Sequence, residues 1–230
     1  MTDETPQITD YEKYLRVPEL LALQKPVERM SCHDELLFQV VHQVEELWMK
    51  LILHEVDDVL RRMAADDVAG ATATFDRIHR AQGLMTQQLN LIETLSPVAY
   101  FTIRKGLGHG SGQESPGFNA MLAAADPIWE AYTALLERRG VSMYEIQMDP
   151  DARRDLFNLS ESLIDYDERF QRFRYDHLKL VQRVIGGGTS SLKGIPAEIL
   201  ERSMKHKFFP ELWNVRERIF AEFTPGTVDA

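Results

Sequence analysis

Apolar side chains recur at steps of three and four residues from position 156 to position 184. This spacing is typical of one face of a long α-helix that is buried along its whole length. The stripe consists of Leu156, Leu159, Leu163, Tyr166, Phe170, Phe173, His177, Val181 and Val184. An imidazole that faces a protein core needs partners for both ring nitrogens. His177 is therefore either a hydrogen-bonded core histidine or a ligand of a metal or haem.

The rest of the chain shows the same helical periodicity, and no alternating strand pattern of useful length occurs. We predict an all-α bundle whose helices are longer than the average for globular proteins. The predicted helices cover residues 11–24 (broken at Pro18), 33–65, 66–95, 98–105, 116–138, 149–186, 197–205 and 210–223.

Composition excludes several classes of protein. The 230 residues suit one sizeable domain, and a formal charge of −10 without a basic stripe argues against general nucleic-acid binding. The single cysteine, Cys32, rules out an internal disulfide and any multi-cysteine metal site. The N-terminus lacks the features of a signal peptide, and no apolar run approaches the ~18 residues that a membrane span needs. We therefore expect a cytoplasmic protein that does not bind membranes.

Three familiar site patterns fail on their context. The glycine-rich segment 106–112 follows a helix rather than a strand, so it does not fit a nucleotide-binding loop. The sequence contains no Glu-x-x-His pair of the kind that di-iron bundles carry on two helices. His54-Glu55 does not extend to a His-Glu-x-x-His zinc motif.

Two pairs at a spacing of four residues are better candidates for chemistry. Phe38 and His42 share one face of the helix predicted over 33–65, where His42 is either a semi-buried packing residue or a pocket residue. Tyr100 and Arg104 lie side by side just before the glycine-rich turn. A guanidinium fork beside a phenol can bind a carboxylate, although a packed tyrosine beside a surface arginine would have the same spacing.

These residues stand in strings that resemble the tryptophan 2,3-dioxygenase family. The resemblance runs from about residue 11 to about residue 218, with several independent motifs in the family's order. The matching strings are Tyr11-x-x-Tyr14-Leu15, Gln24-Lys25-Pro26, His33-Asp34-Glu35-Leu36-Leu37-Phe38, His42-Gln43, Glu46-Leu47-Trp48-Met49-Lys50-Leu51, Glu93-Thr94-Leu95-Ser96-Pro97, Tyr100 with Arg104, Val181-Gln182-Arg183-Val184-Ile185-Gly186 and Phe208-Phe209-Pro210-Glu211-Leu212-Trp213.

The resemblance implies a haem b cofactor whose iron is ligated by His177. It places the histidine that meets the indole N–H of the substrate at His42, and an aromatic wall of the pocket at Phe38. The carboxylate of the substrate would be held by Arg104 with help from Tyr100. Pocket-lining positions of the following loop fall on Leu107 and Ser111.

The resemblance also implies that the active site is completed by assembly. In the family an N-terminal tyrosine and leucine of one subunit reach the pocket of a neighbour, which corresponds here to Tyr11, Tyr14 and Leu15. We therefore expect a single haem-binding helical domain over 1–230, with 1–26 as an arm that contacts a neighbouring subunit. The expected assembly is a homotetramer or a homodimer.

The sequence departs from the family pattern around the substrate. The connection between the helix that ends near Arg138 and the helix of His177 is short, and Gln113 replaces an expected phenylalanine. Gly186 runs almost directly into Gly187-Gly188-Thr189-Ser190, so the threonine that contacts the ammonium group of the substrate has no clean counterpart. Thr189 is the possible stand-in.

These features predict an oxygenase that inserts oxygen from O2 at C2 and C3 of the indole of L-tryptophan or a tryptophan derivative. Ring cleavage to an N-formylkynurenine-type product is the family default. One alternative is monooxygenation of a methylated tryptophan to a hydroxyindole or oxindole, and another is a haem-binding helical protein without turnover. The altered loop predicts weak activity on plain L-tryptophan and a preference for a modified tryptophan.

Overall fold

The computed structural model describes residues 8–108, 110, 112–186 and 206–224. Within these ranges the regular structure is helical and no strand occurs, which confirms the predicted all-α class. The α-helices are α1 Asp10–Leu15, α2 Val17–Leu21, α3 Glu35–Ala64, α4 Val68–Ile92, α5 Pro97–Gly106, α6 Pro116–Ala123, α7 Ala125–Arg139, α8 Met143–Met148, α9 Arg154–Ile185 and α10 Pro210–Phe223. No helix of the described residues is both long and apolar enough to cross a membrane.

The observed helix ends follow local chemistry that the periodicity alone did not show. The first predicted helix breaks at Arg16, which has a positive φ of 55°, and Pro18 lies in the first turn of α2 instead of breaking a helix. The predicted helix 116–138 is two helices, because Pro127 lacks an N–H and its ring would clash with the carbonyl of residue 123. The short helix α8 was not predicted, although Ser142 and Glu145 form a capping box at its start.

Two of the long helices, α3 and α4, run antiparallel. Arg77 of α4 donates to both carboxylate oxygens of Glu55 at 2.7 and 2.8 Å, and the Thr74 hydroxyl donates to Asp58 at 3.0 Å. Moving three residues towards the C-terminus of α3, from Glu55 to Asp58, corresponds to moving three residues towards the N-terminus of α4, from Arg77 to Thr74. Continuing this register places the start of α3 beside the end of α4.

The third long helix, α9, runs parallel to α4. His79 contacts the Ser162 carbonyl at 3.0 Å, and one turn later the amide of Gln82 donates to the Tyr166 carbonyl at 3.1 Å. The end of α9, with His177, consequently lies at the same end of the bundle as the end of α4 and the start of α3. This arrangement brings together residues that are more than a hundred positions apart in the sequence.

The other end of the chain packs against the middle of α9. The buried carboxylate of Asp167 accepts a hydrogen bond from the Trp213 indole at 3.0 Å and one from the Phe209 backbone at 3.5 Å. Phe208 and Phe209 lie in the core with their rings 5.8 and 6.3 Å from the ring of Tyr166. These contacts hold α10 on the bundle and leave the end of α9 for the site.

Candidate functional site

His177 is held by α9 at the shared end of α3, α4 and α9. Its side chain is half-buried, and its ring stacks at 6.3 Å on that of Phe173, one turn earlier. The ring makes no hydrogen bond to the residues that the structure describes. Burial, with a smaller contribution from the nearby charge of His42, lowers the pKa of His177 to about 4. The imidazole is therefore neutral at pH 7 and has a lone pair available for a ligand interaction.

His42 faces the same space from α3. Its Nδ1 lies 2.7 Å from the carbonyl oxygen of Phe38, so Nδ1 carries the proton and donates to that carbonyl. The ring is exposed on its open side, but the protein on its other sides removes water from it and lowers the pKa of His42. The hydrogen bond to Phe38 and the negative charge of Glu46 raise this pKa by a smaller amount. The neutral ring therefore presents Nε2 as a hydrogen-bond acceptor.

Aromatic side chains form one wall beside His42. The ring of Phe38 lies 4.0 Å from the His42 ring and 6.4 Å from the Tyr100 ring, between centroids. Phe38 and Tyr100 are both half-buried. Helix α5 thus brings its phenol to the start of α3.

Arg104 is one turn after Tyr100 on the same face of α5. Its side chain is half-buried and makes no hydrogen bond or ion pair with the described part of the chain. A guanidinium with five donors and no partner in the described part of the chain is suited to an external carboxylate. Leu107, at the end of α5, is 38% exposed beside this position.

The start of α6 is fixed against α3 by a carboxylate. Glu46 accepts a 3.1 Å hydrogen bond from the Gly117 backbone and a short one from the Ser115 hydroxyl. A Cβ at Gly117 would lie 2.6 Å from a Glu46 oxygen and 2.9 Å from Met49, so only glycine allows this close approach. The contact anchors the end of the glycine-rich loop next to His42.

The N-terminal residues named from the sequence do not reach this site within one chain. Tyr11, Tyr14 and Leu15 lie on α1 and are 70%, 87% and 44% exposed. The chain after them is attached to α3: the amide of Gln24 donates to Gln43 at 2.6 Å, and Lys25 pairs with Glu35 at 3.0 Å. A segment that is attached to α3 at residues 24 and 25 and exposed at α1 is compatible with an arm that contacts another subunit.

Two of the predicted pocket residues, Ser111 and Thr189, lie outside the described residues, as do residues 187–205, which include the helix predicted over 197–205. Their predicted roles stay predictions.

Sequence reasoning missed Glu45. This residue lies on the inward face of α3, is 7% exposed, and has two buried carboxyl oxygens without a hydrogen-bond partner. Burial, with a smaller effect of the neighbouring Glu46 charge, raises the pKa of Glu45 to about 8. The signal was available, because Glu45 interrupts an apolar stripe of α3 in the way that His177 interrupts that of α9. The stripe consists of Val41, Glu45, Met49, Ile52, Val56, Val59 and Met63.

Comparison with known proteins identifies relatives along most of the chain. The sequence profile of the family described as tryptophan 2,3-dioxygenase matches residues 3–123 and 131–219. A protein named tryptophan 2,3-dioxygenase from Erythrobacter litoralis is 35% identical in an alignment of 265 positions, gaps included. The alignment covers 93% of this chain and 99% of that protein. Proteins of the same name from Caulobacter vibrioides and Kineococcus radiotolerans are 31% and 32% identical, covering 91% and 95% of this chain and 98% and 94% of theirs.

The length of these alignments carries further information. The alignment to the Erythrobacter protein extends over 265 positions, whereas this chain has 230 residues. The relative therefore contains segments that this chain lacks, which confirms that the chain is a shortened form.

Proposed function

The chain belongs to the tryptophan 2,3-dioxygenase family, and from this premise we propose that it is a haem-dependent oxygenase of L-tryptophan or a tryptophan derivative. The proposed reaction inserts oxygen from O2 at C2 and C3 of the indole and opens the ring. The observation that carries the proposal is the convergence of His177 and His42 from two helices, beside a half-buried arginine that has no partner among the described residues.

The residues present fit a haem group. His177 supplies one neutral imidazole, and the described residues contain no cluster of three or more acidic, cysteine or histidine side chains that could hold a bare metal ion. A single imidazole would suit an iron whose remaining protein-independent donors come from a porphyrin. Phe173 beside the imidazole adds an apolar surface of the kind that a macrocycle packs against. When bound, haem supplies the activation of dioxygen, and the protein supplies binding, orientation and electrostatics.

Arg104 and Tyr100 bind the substrate carboxylate in this proposal. The guanidinium forms two parallel charge-assisted hydrogen bonds, and the phenol hydroxyl donates a third. Because α5 holds both side chains on one face, the carboxylate is bound at a fixed distance from His42. This orientation places the indole, rather than the amino-acid end, in the space between the two histidines.

His42 binds the indole nitrogen. Its Nδ1 proton is engaged by the Phe38 carbonyl, so Nε2 accepts the indole N–H. The lowered pKa keeps the ring neutral at pH 7, which preserves this acceptor. The role is positional, and no proton has to be removed by a strong base. Phe38 provides a flat apolar contact for the aromatic ring.

The N-terminal arm completes the pocket from a second copy of the chain. Two exposed tyrosines and a leucine on α1 are more apolar than a solvated helix needs. Placing them over a neighbour's pocket would bury this surface and exclude water from the substrate. Assembly as a homotetramer or homodimer follows from this arrangement.

An optical titration tests the proposal. Purified protein, reconstituted with haem if necessary, is reduced without oxygen and titrated with L-tryptophan. We expect a haem Soret band, a saturable change of that band with tryptophan, and a ring-opened product after oxygen is admitted. A protein that binds no haem, or whose spectrum and products do not respond to any indole amino acid, would refute the function.

A further inference from the structure

Glu45 is a buried acid that the proposed chemistry does not use. Its side chain is 7% exposed, and neither carboxyl oxygen has a hydrogen-bond partner among the residues that the structure describes. A buried polar group without a partner costs about 1–3 kcal/mol. Such groups are rare in folded proteins and call for a functional explanation.

The position of Glu45 connects it to the histidine site. It follows His42 by three residues, so the two side chains are neighbours on the surface of α3. His42 occupies the open end of the bundle, whereas Glu45 lies one turn deeper and is covered by the core.

Helix register brings a second unsatisfied group to the same level. The Glu55–Arg77 and Asp58–Thr74 contacts, continued by ten residues, place Glu45 level with residues 87 and 88 of α4. The Nε2 amide of Gln88 is also buried and has no hydrogen-bond partner. An amide N–H donor is therefore available at this level for an ionised carboxylate.

Few charges in the described residues face this position. On α3 the nearest is Glu46, whose negative charge opposes ionisation of Glu45. On α4 the residues at this level are the neutral Gln87 and Gln88. On α9 the buried Arg174 is engaged with the His206 carbonyl at 2.7 Å, and Arg172 pairs with Glu168 at 2.6 Å. Arg169, also on α9, has a buried Nε without a hydrogen-bond partner among the described residues and is a further positive charge near this level. α6, which packs on α3, carries no charged residue between Pro116 and Ala123.

We propose that the protonation of Glu45 is coupled to the oxidation state of the haem iron. Glu45 takes up a proton when the iron is reduced and releases it when the iron is oxidised. This inference rests on the proposed function, since it assigns Glu45 to the haem bound by His177. The electron comes from an external one-electron reductant and the proton comes from solvent. Reduction removes one positive charge from the iron, and proton uptake by Glu45 removes one negative charge nearby.

The physical basis is the low polarity around the carboxyl group. Ferric haem has one more positive charge than ferrous haem, so a haem bound beside His42 would favour the ionised form of the acid one turn away on the same helix. Without that charge, the buried acid is neutral up to a pH of about 8, because burial raises its pKa. The Gln88 amide can stabilise the ionised form by donating a hydrogen bond. Two charge states of Glu45 are thus accessible, and the iron selects between them.

The test is a spectroelectrochemical titration of the haem-loaded protein from pH 6 to pH 9. We expect the midpoint potential of the natural protein to fall as pH rises towards 8, and the Glu45→Gln variant to lose this part of the pH dependence. Asp57→Asn, which changes an exposed acid on the same helix, is the matched control and should keep the dependence of the natural protein. All three proteins share the haem carboxylates, so their difference isolates Glu45.

A second variant and a second measurement keep the test decisive if Glu45→Gln does not fold. Gln88→Leu removes the donor for the ionised form and should move the pH-dependent region to higher pH. In the natural protein, the infrared difference spectrum of reduction should show the C=O stretch of a carboxylic acid that gains its proton.

Equal pH dependence in the natural protein and the Gln variant would overturn the assignment of Glu45 and leave the proposed function intact. If the Glu45→Gln variant does not fold, the infrared measurement on the natural protein decides. Absence of the carboxylic-acid band would then overturn the assignment of Glu45 as well. Failure of the natural protein to bind haem would instead refute the proposed function.

Discussion

An imidazole and a carboxyl group buried near the same end of the bundle show opposite effects of one physical cause. Burial disfavours the charged form of each group, so it lowers the pKa of His177 to about 4 and raises the pKa of Glu45 to about 8. In the haem-free protein both side chains are consequently neutral at pH 7. The first is left with a lone pair for an external ligand, and the second with a proton.

The assignment of His177 as the iron ligand is tested by His177→Ala. We expect loss or gross alteration of the haem Soret band, while helical circular dichroism is largely kept, because the removed ring makes no hydrogen bond with the described residues. His54→Ala is the control, since this imidazole lies on the exposed face of α3. An unaltered Soret band in His177→Ala would contradict the assignment and make His42 the next candidate.

The carboxylate clamp is tested by Arg104→Lys, which keeps the charge and loses the planar fork. Binding of L-tryptophan, measured by optical titration, should weaken by about 1.5–3 kcal/mol, the range of charge-assisted hydrogen bonds. Lys105→Met alters the next, exposed residue of α5 and should leave the affinity unchanged. If tryptamine, which has no carboxylate, binds the natural protein as tightly as tryptophan, the clamp does not exist.

Protonation of Glu45 also affects folding stability. Its pKa is higher in the folded chain than in the unfolded chain, so its contribution to stability is present at low pH and is lost as pH rises from about 4.5 through 8. Urea unfolding should show that Glu45→Gln gains roughly 2–3 kcal/mol relative to the natural protein between pH 5 and pH 7, at 1.36 kcal/mol per pH unit. A difference between the two proteins that does not change with pH would show that Glu45 ionises freely in the fold.

At the scale of elements, the N-terminal helices differ from the rest of the structure. None of the residues of α1 and α2 is buried, whereas the segment that follows is attached to α3 through Gln24 and Lys25. Helices this short are unstable alone in water, so a stable α1 requires packing against another surface. The proposed partner is the pocket of a second copy.

Deletion of residues 1–16 tests the arm. This change removes α1 and leaves the Gln24 and Lys25 contacts in place, so haem content should be retained while turnover of tryptophan falls. The matched variant Tyr11→Ser with Tyr14→Ser should show the same pattern with the backbone kept. Full activity of the deletion variant, or a natural protein that is fully active and monomeric by sedimentation, would exclude a role of the arm in the site.

At the scale of the whole molecule, the chain keeps the helical frame of its family in a shorter form. Alignments to relatives are longer than the chain, while the residues proposed to bind haem and carboxylate are present on α3, α5 and α9. Segments are therefore missing from a protein that retains the proposed ligand and clamp. The expected consequence is a change in substrate range, because cover over the substrate depends on the loops.

Turnover with isotopically labelled dioxygen tests the reaction and its substrate. We expect both atoms of one dioxygen molecule in a ring-opened product, and faster turnover of a β- or ring-methylated tryptophan than of L-tryptophan. The reason is that a methyl group fills space that a shortened loop leaves open and so excludes water. A singly labelled hydroxyindole or oxindole would establish monooxygenation, and efficient conversion of plain L-tryptophan would show that the shorter loop has no effect.

The sequence by itself determined the helical class and the local placement of the site residues. A step of three or four residues identifies one face of a helix, and it showed that His177 lies on an apolar face and that Arg104 lies beside Tyr100. Short-range chemistry likewise explains the helix ends, such as the cap that Asp67 provides for α4. These properties depend on neighbours within one helical turn, which can be read along the chain.

Only the tertiary structure decided which faces meet. The register of α3 against α4, and of α4 against α9, brings His42 to His177 and leaves Glu45 without a partner. Register between helices is set by side chains that pack across long sequence separations, and periodicity carries no information on it. The same reasoning applies to α1, which the described helices leave without a buried residue, so the proposed contact with a second copy cannot be read along the chain.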